Sequence, residues 1–161
     1  MRKLITAGAA GAGAAALALS LVAFAPVAAH GAGGGRTLRF VAKTTQFTQI
    51  DLPPAGFGQG DEIVFHDQLR ARGTVIGHDG GACQATFVRP GQAPQFQCLV
   101  TMVFRGGQVT TQGLINIGNP ASFRGSFAVT GGTGVFRGVR GEGTVHQTSE
   151  TLATITLSLT R

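Results

Sequence analysis

AVTGGTGVFRGVRGEG, residues 128–143, is the stretch that decides the fold of this 161-residue chain. We call it the glycine segment. A glycine turn cradles phosphate when it opens a helix, because the free N–H groups of the first helical turn then point at the anion. Here the following residues 135–141 stay glycine-rich and strand-like, and no G-x-G-x-x-G or Gly-Lys-Ser/Thr spacing occurs. We therefore interpret the segment as turns and a coiled strand that help to close a small barrel.

Period-two alternation of apolar and polar residues runs through most of the chain beyond residue 36. Near the C-terminus, Ala153, Ile155, Leu157 and Leu159 alternate with threonine and serine. Turn-forming pairs such as Pro53-Pro54, Gly80-Gly81, Pro90-Gly91, Gly106-Gly107 and Asn119-Pro120 divide the alternating runs. The pattern predicts about eight strands in a single all-β domain, a sandwich or a barrel.

The N-terminus has the features of a secretory signal peptide. Met1-Arg2-Lys3 precedes an apolar, alanine-rich run from Leu4 to Ala25, and small residues precede Ala29. We predict a signal peptide over residues 1–29, a flexible leader over 30–36 and a β-barrel domain over 37–161. The predicted location is extracellular, with no membrane span after cleavage. A retained membrane anchor is the alternative, since the run is long enough to span a bilayer.

Charge argues against a nucleic-acid partner. The formal net charge is +6, but without Arg2 and Lys3 the chain has 11 basic and 7 acidic residues. The basic residues form no run and are not interleaved with an aromatic ladder, as nucleic-acid binding would require. Weak attraction to anionic surfaces remains compatible with this charge.

The two cysteines predict a disulfide. Cys83 and Cys98 lie in a chain predicted to be exported, where oxidised pairs are the default. Placed opposite each other in an antiparallel hairpin, they centre the turn on Pro90-Gly91. In that register Cys83, Ala85 and Phe87 face the same side as Phe96, Cys98 and Val100.

Three residues are candidates for chemistry. Asp67 shares the apolar face of its strand with Ile63, Phe65 and Leu69, and a carboxylate there needs a partner or a polar cavity. It could serve as an acid or base, or it could be a strand-end residue bonded to turn N–H groups. Arg137 and Arg140 face opposite sides of a regular strand, so one of them could enter the interior and pair with Asp67.

Metal and hydrolase sites are not indicated. His66, His78 and His146 lack metal-ligand spacing, and the cysteines are better used as a disulfide. No G-x-S-x-G nucleophile motif occurs. We expect neither a metal nor a cofactor.

The motifs resemble those of the allene oxide cyclase and dirigent protein family. The resemblance is carried by Phe127–Gly141, by GDEIVFHDQL (residues 60–69) and by IGHDGGAC (residues 76–83), in order, over about 100 residues. It implies a closed eight-stranded antiparallel β-barrel around an apolar cavity. Asp67 matches the aspartate of the dirigent strand motif, Arg137 and Arg140 match dirigent arginines, and Cys83 matches a cyclase cavity cysteine. The glutamate of the cyclases' N-terminal strand has no counterpart near residues 40–45.

The resemblance also implies a function. We expect a secreted barrel without a cofactor that binds a small apolar molecule, such as a lipid, phenolic or polyketide, and guides its cyclisation or isomerisation. Asp67 would act in the cavity, with Arg140 or Arg137 as its partner. The chain has no Tyr or Trp, so the predicted lining is Phe65, Phe87, Phe96, Phe104 and Phe127. The alternative is a non-catalytic binding or envelope-associated module, and a homo-oligomer is compatible with either.

Overall fold

Residues 35–161 are described by a computed structural model. The predicted signal peptide and all but the end of the predicted leader lie outside them. The eight strands are β1 (Arg36–Ile50), β2 (Glu62–Ala71), β3 (Thr74–Phe87), β4 (Gln95–Phe104), β5 (Gly107–Asn116), β6 (Arg124–Gly132), β7 (Arg140–Ser149) and β8 (Leu152–Thr160). Within the described range no helix is long and apolar enough to cross a membrane.

The strands form one closed barrel in sequence order. Each strand pairs antiparallel with the next, and β1 closes the sheet by pairing with β8, for example Phe40 with Ile155. This confirms the predicted closed eight-stranded architecture. We call the end where β1 starts and β8 finishes the lower end, and the end where β1 finishes and β2 starts the upper end.

The lower half of the barrel interior is tightly filled. Leu69, Val109 and Leu157 are fully buried there, and each contributes about 1.5–3 kcal/mol through removal of its side chain from water. The cluster also contains Phe40, Ala42, Met102, Val129, Phe136, Val139, Ala153, Ile155 and Leu159. An eight-stranded barrel is narrow enough for side chains to fill it in this way.

The upper half has a smaller buried cluster around the disulfide. Cys83 and Cys98 are directly opposite each other on β3 and β4 and are bonded, as predicted. They are buried with Ala85, Phe96 and Ile115. The residues packed around this group are only half-buried: Ile63, Phe65, Val88, Ile117, Phe123 and Val145. The interior is therefore more open to solvent toward the upper end than toward the lower end.

Phe87 does not line the interior, in contrast to the sequence-based expectation. The β3–β4 register shifts between Ala85 and Phe87, so Phe87 pairs with Gln95 rather than with a residue on the inner face. Its ring is half-buried, and the guanidinium carbon of Arg89 lies over it, 5.3 Å from the ring centroid. The cause is a β-bulge, in which one extra residue reverses the side that the following residues face.

The glycine segment closes the lower end. It contains the last residues of β6, a single 3-10 turn over Gly134–Phe136, and the start of β7. Gly134 has φ +59°, and a side chain there would collide with the carbonyl of Gly106. The turn drives the Phe136 ring into the lower core, 5.6 Å from the ring of Phe104. No helix long enough to bind phosphate follows, which agrees with the barrel-closing interpretation.

Candidate functional site

Asp67 faces the barrel interior near the middle of β2. It is only 8 % exposed and shares the inner face with fully buried Leu69, as the alternation predicted. Its neighbour His66 points to the outer face, where its ring lies 5.5 Å from that of His78. Because Asp67 stands inside the strand, four residues from its end, the strand-end alternative does not apply.

The partner of Asp67 is a second aspartate. Asp79 on β3 is directly opposite Asp67 in the β2–β3 register and is 2 % exposed. Opposite residues on antiparallel strands have Cβ atoms about 4.5–5.5 Å apart, so the two carboxyl groups can share a proton. Thr44 of β1 lies opposite Asp67 on its other side, and Met102 of β4 lies opposite Asp79. The site is thus a carboxyl pair on two neighbouring strands, flanked by Thr44 and Met102 on the strands to either side.

Burial and mutual repulsion keep this pair from being doubly ionised. Burial, followed by the negative charge of Asp67, raises the pKa of Asp79 from 3.8 to about 8. Burial also raises the pKa of Asp67, but hydrogen bonding to Thr44, the charge of His66 and hydrogen bonding to Asp79 oppose that rise. The proton shared by the pair at neutral pH therefore belongs to Asp79.

One oxygen of each carboxyl group is left without a hydrogen-bond partner. The Oδ1 atoms of Asp67 and Asp79 are buried and have no hydrogen-bond partner. Buried polar atoms in proteins are nearly always paired, so such atoms need an explanation. A protonated and an ionised carboxyl side by side can donate to one atom of a bound molecule and accept a proton from another.

Aromatic and small residues lie above the pair, toward the upper end. Phe65 is two residues from Asp67 on the same inner face, and it pairs with Gly81, two residues from Asp79. Its ring lies against Gly81, next to Val100 of β4, so that a Cβ on Gly81 would lie 2.5 Å from Cζ of Phe65. This apolar layer is half-buried, so the interior above the carboxyl pair is less completely enclosed than the lower core.

The other predicted lining residues divide between the two clusters. Phe96 is buried in the upper cluster. Phe104 and Phe127 pack against the lower cluster, and the ring of Phe104 contacts that of Phe40 at 5.6 Å. Four of the five predicted lining residues, Phe65, Phe96, Phe104 and Phe127, thus pack against the interior clusters, and Phe87 does not.

The structure does not bring Arg137 and Arg140 to Asp67. Both are exposed, and both lie between the 3-10 turn and the start of β7 at the lower end. The Arg140 side chain turns back on the sheet, where its Nη1 donates to the carbonyl of Val139 at 2.8 Å. Asp67 therefore has no arginine partner and shares a proton with Asp79 instead, a residue that was not among the predicted site residues.

The outer wall behind the carboxyl pair has a groove of about 340 Å³. It is lined by Thr45, His66, Gln68, Val75, Gly77 and His78. The hydroxyl of Thr45 donates to the carbonyl of His66 and also contacts its Nδ1 at 2.9 Å. In residues 35–161 no group of three His, Cys, Asp or Glu side chains is arranged to hold a metal ion.

The loop of residues 51–61 lies against the upper end and is held by Asp61. Phe57 of this loop stacks on Phe96 with ring centroids 5.8 Å apart. The Asp61 side chain, 2 % exposed, accepts the N–H of Leu52 at Oδ1 and of Gly58 at Oδ2, each at 2.9 Å. One carboxylate therefore holds both halves of the loop at the upper end.

Replacing Asp61 with Asn should loosen this loop. An amide has one acceptor oxygen, so one of the two loop N–H groups loses its partner, at a cost of about 1–3 kcal/mol. Chemical denaturation would measure the loss, with Asp51→Asn as the matched control in the same loop. Asp51 is exposed and makes a single 3.1 Å bond to the N–H of Gly56. Equal stability of the two variants would contradict the role assigned to Asp61.

Comparison with known proteins places the chain in a family. Residues 37–157 match the model of the allene oxide cyclase barrel like domain. Because the match covers most of the chain, the protein belongs to the allene oxide cyclase barrel like family. No curated protein matches the chain.

Solved structures agree with this assignment. A pyocyanin demethylase shares 32 % identity and a TM-score of 0.69, with 78 % of this chain and 100 % of that one covered. A Diels–Alderase from Streptomyces koyangensis shares 15 % identity and a TM-score of 0.64, with coverages of 83 % and 72 %. A pterocarpan synthase dirigent protein shares 15 % identity and a TM-score of 0.61, with coverages of 79 % and 88 %. The last two similarities establish the fold alone.

Proposed function

We propose that this protein is a secreted barrel that binds a small apolar molecule and cyclises or isomerises it by proton transfer, without a cofactor. One observation carries the proposal: the buried Asp67–Asp79 pair holds one proton and has two unpartnered oxygens below a half-buried apolar layer. Solved structures with the same fold include a cyclase, a Diels–Alderase and a dirigent protein, and the name of each describes a reaction of a small molecule.

The pair suits a step in which one atom of the ligand gains a proton and another loses one. Asp79, protonated, donates its proton to a carbonyl or imine atom of the ligand. Asp67, ionised, accepts a proton from a neighbouring C–H or N–H group of the same molecule. The ligand has then moved a double bond or closed a ring with no net change in atoms or electrons, and the pair recovers its starting state by passing the proton from Asp67 to Asp79.

The barrel contributes position as well as protons. A ligand seated against Phe65 and Val100 would be held directly above both carboxyl groups, which converts the proton transfers into steps within one complex. Lipids, phenolics and polyketides are the ligand classes to test. Pyocyanin joins them, because the demethylase that shares 32 % identity is named for it.

The test begins with native mass spectrometry of the purified protein, followed by incubation of any captured molecule and of pyocyanin with the wild type. We expect Asp67→Asn to slow turnover by about 100-fold or more, the usual contribution of general acid–base catalysis, while ligand affinity stays within a few-fold. Asp51→Asn, an exposed aspartate outside the site, is the control. Undiminished turnover in Asp67→Asn would rule out its role as the base.

A second candidate is a binding module without chemistry. It is favoured by the rings of Phe65 and Phe127, which lie in the space above Gly81 and Gly143 and so fill part of the interior. A captured ligand that the wild type releases unchanged, with the same affinity in Asp67→Asn, would support this alternative over the first.

A further inference from the structure

Six of the nine exposed arginines of the described chain lie at the lower end of the barrel. In an antiparallel barrel the starts of odd strands and the ends of even strands meet at one end, and here these positions carry arginine. Six exposed arginines occupy the lower strand ends and turns: Arg36, Arg72, Arg105, Arg137, Arg140 and Arg161. The sequence showed no basic run, because the fold and not the order of residues brings these side chains together.

Acidic residues do not neutralise this end. Among the described acids, Glu142 comes nearest, two residues inside β7. Asp51, Asp61, Glu62 and Glu150 all belong to the upper end, while Asp67 and Asp79 lie inside the wall. The barrel is therefore polarised, with a basic lower end and a more acidic upper end.

Apolar side chains stand among the arginines. Val135 in the 3-10 turn is 55 % exposed and Val75 beside the β2–β3 turn is 47 % exposed. A groove of about 300 Å³ also opens here, with Phe136, Val139 and Leu159 in its lining and Arg36 and Arg161 among its polar members. Arg161 is held in place by a 2.6 Å hydrogen bond from its Nη2 to the carbonyl of Val135.

Cationic and apolar groups on one surface match the interface of an anionic bilayer better than a soluble polyanion. Arginines pair with lipid phosphates, and exposed apolar tips gain by entering the boundary with the acyl chains. A soluble polyanion would use the arginines but leave the valines in water.

We propose that the lower end of the barrel docks on an anionic lipid bilayer and that the upper end, with the less enclosed half of the interior, faces away from it. Each arginine near such a surface strengthens partitioning about fivefold. The attraction weakens as salt shortens the screening length from about 10 Å at 0.1 M to about 3 Å at 1 M.

The experiment is co-sedimentation of the full-length protein with vesicles of phosphatidylcholine alone or with added phosphatidylglycerol. Full-length protein keeps the N-terminal run constant in every comparison. Arg72→Glu/Arg105→Glu reverses two charges at the lower end, and Arg89→Glu/Arg124→Glu reverses two at the upper end, so both variants have the same net charge. The variant Arg72→Gln/Arg105→Gln removes the same two charges without adding negative ones. Circular dichroism of every variant would show whether the barrel is still folded.

We expect phosphatidylglycerol to increase binding of the wild type, and 1 M salt to abolish the increase. The lower-end reversal should weaken the phosphatidylglycerol-dependent part by more than 25-fold, its Gln counterpart should weaken it by less, and the upper-end reversal should change it by less than threefold. Equal losses in the two reversals would show a dependence on net charge alone and overturn the proposal. The proposal would also be overturned if vesicle binding did not depend on phosphatidylglycerol, or if the protein bound heparin but no vesicles.

Discussion

The wild-type protein should lose stability between pH 5 and pH 9, and Asp79→Asn should remove most of that loss. Asp79 has a pKa raised from 3.8 to about 8 in the folded protein. In the window between those values the native state holds a proton that the unfolded state has released. The contribution of Asp79 to the free energy of unfolding is therefore fully present below about pH 4 and falls as the pH rises to about 8.

The expected size is large for a single residue. One pKa unit corresponds to about 1.4 kcal/mol, so the wild type should lose roughly 3–5 kcal/mol across this window through Asp79. Asn cannot ionise and fits the same space, so Asp79→Asn should show a much flatter profile and exceed the wild type in stability at pH 9. Urea unfolding at pH 5, 7 and 9 measures this.

Comparison of variants separates the contribution of Asp79 from that of every other group in the protein. Asp51→Asn, which changes an exposed aspartate, should reproduce the wild-type profile. If Asp79→Asn and the wild type have parallel stability profiles, Asp79 is ionised in the folded protein at neutral pH and the proton-sharing pair does not exist.

The second large effect is expected at Gly143. This glycine is buried on the inner face of β7, opposite Phe127 on one side and Leu157 on the other. A Cβ there would overlap Cε2 of Phe127 and lie 2.5 Å from its Cζ and 2.9 Å from Cδ2 of Leu157. The Phe127 ring cannot retreat freely, because its own Cβ lies against Gly113, where an added Cβ would stand 2.7 Å away.

Gly143→Ala should therefore destabilise the barrel by roughly 2–3 kcal/mol, the cost of adding a methyl group to a filled core. Gly80→Ala is the matched control. Gly80 is exposed in the middle of β3, and a Cβ there would meet only the carbonyl of Phe65, at 3.9 Å. Denaturant titration should show Gly80→Ala close to or above the wild type. A Gly143→Ala variant as stable as Gly80→Ala would mean that Phe127 and Leu157 are not tightly packed around Gly143.

Much of the fold follows from features with a local physical meaning. Alternation predicts the strands and the inward side of Asp67, and the opposed cysteines predict the β3–β4 register. Phe87 shows the limit of that approach, because a single bulged residue between Ala85 and Phe87 reverses the alternation without a signal in the sequence.

The site shows a different limit. Asp79 is four residues before Cys83, so strict alternation sets the two side chains on one face of β3, although Asp79 was not among the predicted site residues. What could not be predicted is that β2 and β3 pair in the register that sets Asp79 opposite Asp67. The β2–β3 connection contains Arg72 and Gly73, both in the left-handed region, and the register also shifts between Leu69 and Arg70. The basic lower end likewise depends on which strand ends meet.

The most direct test of the account is a carbon-13 NMR titration of the aspartate side-chain carboxyl groups in the folded protein. Asp79→Asn and Asp67→Asn would assign the two interior signals. We predict an Asp79 signal with a midpoint near pH 8, and a lower midpoint for it in Asp67→Asn, because the neighbouring negative charge is gone. A midpoint near the ordinary aspartate value for every carboxyl group would contradict the central claim that Asp67 and Asp79 share one proton inside the barrel.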